Sequence, residues 1–76
     1  MNTNDIKQAI ERTRLEDWPA NGSKESILMN LTEALESAEQ GDFDLACDWV
    51  ASAYERNIKH AFNSQPAIFQ LHKKYN

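Results

Sequence analysis

The chain has 76 residues, with 12 acidic and 8 basic side chains, one cysteine, two glycines and two prolines. That length supports one domain and not two. A lone thiol excludes an internal disulfide, and so few turn residues favour a few long elements over an all-β fold.

Cys47 as the lone cysteine fits a reducing, cytoplasmic setting. No apolar run approaches the ~20 residues that cross a bilayer, so no membrane partner is expected. Met1-Asn2-Thr3-Asn4-Asp5 has no basic segment leading into an apolar one, so no secretory leader is expected.

The net charge of −4 hides a partition along the chain. Residues 1–15 carry Asp5 and Glu11 against Lys7, Arg12 and Arg14, a net of +1. Residues 16–55 carry ten acids and only Lys24, a net of −9. Residues 56–76 carry Arg56, Lys59, Lys73 and Lys74 and no acid, a net of +4. The molecule has an acidic middle and a basic end.

Four helical segments are expected. The first spans about 4–16, capped by Thr3 or Asn4, with Asp5 at its positive end and Ile6, Ala9, Ile10 and Thr13 on one face. Trp18-Pro19 ends it, because the residue before proline is driven out of the α region, and 20–22 form a short turn. The second helix spans about 24–40, with Ser23 as its cap. Ile27, Leu28, Leu31, Ala34, Leu35 and Ala38 repeat at amphipathic spacing.

Gly41 stands where a helix C-terminus favours glycine, and Asp42 caps a third helix over about 43–63. One glycine between two capped helices predicts a tight antiparallel hairpin. Pro66 opens a short last helix, with Ile68, Leu71 and Tyr75 on one side and Lys73 and Lys74 at its negative end. The expectation is a single all-α domain over 1–76, a small bundle of three main helices plus a short C-terminal one.

The third helix has an unusually wide apolar arc. At 100° per residue, Phe43, Ala46, Cys47, Ala53, Tyr54 and Ala61 fall within about 60° of Val50. Leu45 and Trp49 lie roughly 100–140° away on one flank, and Phe62 about 120° away on the other. One neighbouring helix cannot cover that arc. Either the helix is central in the bundle, or another chain covers part of it.

Chemistry-bearing constellations are lacking. Cys47 and His60 are separated by about 20 Å of helix rise, so they form no nucleophile–base dyad. One cysteine and two histidines cannot supply a zinc site. The stretch from Asp42 begins like a calcium loop but has Cys47 where glycine is required and Ala53 where the bidentate glutamate belongs. The two glycines are isolated, so there is no phosphate loop. No cofactor, metal or catalytic residue is expected, and the chain reads as non-enzymatic.

Glu39-Gln40-Gly41-Asp42-Phe43-Asp44-Leu45-Ala46, followed by Ala53, resembles the turn and second helix of a tetratricopeptide repeat. The likeness covers less than half of one repeat. It departs from the family's pattern at Asn30 and Glu33, where large apolar anchors would fall, and at Ile58 in place of a proline. Such a resemblance implies peptide or protein binding.

The acidic surface is the strongest functional pointer. Glu33 and Glu36 on the second helix and Asp44 and Asp48 on the third are expected to face a basic partner, contributing orientation and on-rate more than affinity. Met29, Leu45 and Trp49 are the expected apolar contacts, with a partner or with a second copy in a homodimer. Such a module suits a regulator or inhibitor of a nucleic-acid-binding protein, of the kind a phage or mobile element carries. The competing expectations are a homo-oligomeric helical scaffold or a tetratricopeptide-like peptide-binding hairpin. A further alternative is weak direct nucleic-acid binding through His72, Lys73, Lys74, Tyr75 and Phe69, which the −9 centre opposes by repelling phosphates.

Overall fold

The computed structural model describes residues 2–17, 24–56 and 66–75. They form four helices: α1 (Thr3–Leu15), α2 (Lys24–Glu39), α3 (Phe43–Arg56) and α4 (Pro66–Tyr75). The fold is an all-α bundle, as its turn-poor composition requires. The turn and caps expected over 18–23, and the continuation of the third helix through 57–63 with Ala61 and Phe62, lie outside the described residues.

Helix α1 begins earlier than expected. Its cap is Asn2, whose Oδ1 accepts the Asn4 N–H at 2.8 Å while its carbonyl accepts Asp5 N–H at 3.1 Å. Thr3 is already helical, because asparagine satisfies an orphan donor at least as well as threonine. At the other end the Lys24 ammonium donates to the carbonyls of Arg14, at 2.6 Å, and Glu16, at 3.0 Å. A cation at the negative end of α1 is favourable, and it ties the start of α2 to the end of α1.

The α2–α3 turn is built from two residues. Gly41 N–H donates to Ala38 O at 3.0 Å and Asp42 N–H to Ser37 O at 2.9 Å, the paired bonds of a Schellman motif. That motif needs a left-handed residue, and Gly41 supplies it with φ +84°. Asp42 then turns donor-closing residue into cap: its Oδ1 accepts Leu45 N–H at 3.1 Å and its carbonyl accepts Ala46 N–H at 3.1 Å.

The helices close into a ring in which each packs on its chain neighbours and α4 returns to α1. The tightest pair is α2 with α3, where Ala34 and Ala38 meet a face bearing Ala46 and Ala53, and small side chains let axes approach. Ile6, Ile27, Leu31, Val50 and Ile68 are fully enclosed, so all four helices feed one core. Thr13 and Asn30 are buried polar members of it; Thr13 Oγ1 and Asn30 Nδ2 have no partner among the described residues.

Phe43 departs from expectation. Helical spacing puts it on the core face, yet it is 44% exposed. It is the first residue of α3, and helical side chains lean toward the N-terminus, so its ring projects past the end of the helix.

Substitutions at two positions test this account by urea unfolding. Leu31→Ala removes a fully enclosed side chain and should cost about 2–5 kcal/mol. Gly41→Ala places a Cβ in open space, so its loss should reflect backbone strain alone, about 1–2 kcal/mol, and Gly41→Asn should recover part of it.

Candidate protein-binding surface

Helix α2 exposes Glu25, Met29, Thr32, Glu33, Glu36 and Glu39, one continuous stripe opposite its buried face. Helix α3 exposes Phe43 at its first position, then Asp44, Leu45, Asp48 and Glu55. Because the Gly41 turn folds the two back to back, their acids gather at the turn. Glu33, Glu36, Glu39, Asp42, Asp44 and Asp48 are all exposed, and all lie within eight residues of Gly41 in the chain. Eight residues are about 12 Å of helix rise, so six carboxylates share one end of one hairpin.

No lysine or arginine occurs between Glu25 and Glu55. Among the described residues the ion pairs are Arg14 with Glu11 at 3.7 Å and Lys74 with Asp5 at 2.9 Å, neither of them on the hairpin. No three of the described acids, histidines and cysteine converge closely enough to hold a metal ion. The carboxylates are spread over a surface rather than gathered into a cage.

The expected apolar contacts separate into two places. Leu45 is 44% exposed, and Trp49, one turn further on, is half-buried and packed against the core. Trp49 is therefore shared between core and surface, not a free contact residue. Met29 is 67% exposed but lies at the level of Ala53 in the hairpin, about 12 Å of rise from Leu45. The fold brings Leu45 and Trp49 together with Glu33, Glu36, Asp44 and Asp48, and leaves Met29 apart. Glu39 and Asp42 join the acidic cluster although periodicity alone does not pick them out; only the tightness of the turn does.

The last turn of α4 is engaged inside the fold through Lys74 and Tyr75. Tyr75 donates its hydroxyl proton to Asp5 Oδ2, Lys74 Nζ donates to the same oxygen at 2.9 Å, and Asn2 N–H donates to the Tyr75 hydroxyl at 3.2 Å. Those bonds tie the last turn of α4 to the first of α1. At the opposite end Glu16 Oε2 accepts Ala67 N–H at 3.0 Å, placing a carboxylate on the positive end of α4. His72 stacks on Tyr54 with ring centroids 3.9 Å apart and planes 1° from parallel. Lys74, Tyr75 and His72 thus all have architectural partners.

Between α1 and α4 lies an open groove of about 140 Å³, lined by Gln8, Arg12, Gln70 and the Asp5–Lys74 pair among others. Sites that enclose a drug-sized molecule run to about 300–1,000 Å³. Cys47 is a free, half-buried thiol. Among the described residues no helix is long and apolar enough to cross a membrane.

No protein-family model, curated protein or solved structure matches this chain. The tetratricopeptide-like turn residues are each accounted for locally, Gly41 by its positive φ and Asp42 by its capping bond.

The α1–α4 clamp has a pH signature. Hydrogen bonds from Tyr75 and then Lys74 hold the Asp5 carboxyl below its ordinary value of 3.8, and Asp5 in turn raises Lys74 above 10.5. A depressed carboxyl contributes stability that is present above pH 3.8 and lost as pH falls through its folded value. A raised ammonium contributes stability that is present below 10.5 and lost as pH climbs through its folded value. Asp5→Asn should therefore lower the melting temperature at neutral pH and flatten the decline at both extremes. Thermal melts by circular dichroism across pH would show identical profiles if the clamp were idle.

Proposed function

We propose that this protein is a non-enzymatic interaction module whose acidic α2–α3 hairpin docks on a basic surface of a partner protein. The observation that carries the reading is the cluster of six exposed carboxylates around Gly41, with no lysine or arginine between Glu25 and Glu55; the cations of α2 and α3, Lys24 and Arg56, stand at the far end of the hairpin. Lys24 itself is spent on the end of α1. A surface of one sign steers an oppositely charged partner into register and repels nucleic acid directly. A groove that binds nucleic acid on another protein has the matching charge, so occupation of such a groove would make this module a regulator or inhibitor. The affinity of such a complex should fall steeply with ionic strength.

Binding of wild type and of Glu33→Lys plus Glu36→Lys to partners captured from the native lysate tests the reading. Capture that weakens at least about tenfold on raising salt from roughly 50 to 500 mM, and equally with the charge reversal, supports it. Capture indifferent to both would remove its basis.

A second reading, a homo-oligomeric scaffold, draws on the exposure of Leu45. Light scattering would favour it if the protein ran as a dimer that Leu45→Asp dissociates. A monomer over the micromolar range sinks it.

A further inference from the structure

Tyr54 stacks on His72 and also meets Phe69, so its flank of α3 faces α4. Leu45 lies about 180° from Tyr54 around α3 and Trp49 about 140°, which turns both away from α4. On α2, Lys24 reaches the end of α1, and Glu33 lies about 180° around the helix from it, on the side toward α3. Glu33 and Trp49 are each eight residues from Gly41, so they stand level across the hairpin. Asp48 borders the same strip on its outer side.

Leu45 and Trp49 therefore form a short apolar strip along the hairpin, about 6 Å of rise in length, with carboxylates on both banks. Resting on the reading above, we infer that this strip receives an amphipathic cationic helix of the partner. Apolar side chains one turn apart cover Leu45 and Trp49, and flanking Lys or Arg side chains reach Glu33 and Asp48. The i, i+4 spacing of the two apolar residues matches the spacing of anchors on such a helix, and its charges lie where the acids are. A second copy of this chain is a poor occupant, because it would set Glu33 and Asp48 against their own equivalents. Nucleic acid and an anionic membrane are repelled for the same reason.

Isothermal titration of the full chain with two synthetic peptides of equal length and equal lysine count tests this. One carries leucines at i, i+3 and i+4 spacing, and the other carries serines in their place. The leucine peptide should bind at least about tenfold tighter, as burial of one large apolar side chain implies. Leu45→Ser should erase that preference. Leu45→Ala should reduce it. Leu15→Ser, at a side chain 79% exposed at the end of α1, should leave it intact. Equal affinities for the two peptides would overturn the inference while leaving the charge-driven reading standing, and so would a preference that survives Leu45→Ser. No binding of either peptide at low salt would overturn both.

Discussion

The architecture hinges on one peptide unit, Gly41-Asp42. Gly41 turns the chain through a conformation that other residues resist, and Asp42 closes α2 with its N–H while opening α3 with its side chain. Consecutive helices are thereby held antiparallel with almost no loop, and the alanine faces beneath the turn let them approach. Acids that are dispersed through 16 residues of sequence, from Glu33 to Asp48, then occupy one end of one hairpin. The charged surface is a product of the turn as much as of composition.

The two signs of charge are put to different use. Lys24 completes the end of α1, Lys74 grips Asp5, and Arg12 Nη1 donates to Gln70 Oε1 at 3.0 Å, all across helix–helix seams. Two acids, Asp5 and Glu16, do similar work on α1 and α4. Within the hairpin, Asp42 is the acid with a structural bond, to Leu45 N–H. Exposed pairs contribute little each, but at helix ends they also complement the backbone dipole. Removing the hairpin acids other than Asp42 should thus leave the fold in place.

Periodicity made most of the core readable. Ile6, Ala9, Ile10 and Thr13 repeat at helical spacing and are all buried on α1, and Ile27, Leu31, Ala34 and Ala38 behave likewise on α2. The turn was readable because its two residues are chosen by local geometry. Contacts between distant segments were not: nothing near Asp5 announces that Tyr75 and Lys74, some 70 positions on, will bond to it. Asn30, polar yet buried, and Phe43, apolar yet exposed, are set by position in the bundle, which a wheel does not encode. The candidate surface was legible as residue types; the association of Leu45 and Trp49 with acids on both banks required the register that Gly41 imposes.

The antiparallel ring has a consequence for the far field. Neighbouring helix dipoles point in opposite directions and largely cancel, so side chains alone set the potential. Charge then divides across the bundle instead of along it: eight acids with Lys24 and Arg56 on the α2–α3 side, against Lys7, Arg12, Arg14, Lys73 and Lys74 with four acids on the α1–α4 side. The bundle is 19 Å by 18 Å in cross-section, a little over two Debye lengths of about 8 Å at physiological salt. A surface near one flank is thus screened from the other. The chain presents itself as an anion from one side and as nearly neutral from the opposite one, so any cationic surface that approached would exert a torque turning the hairpin toward it before atoms touched.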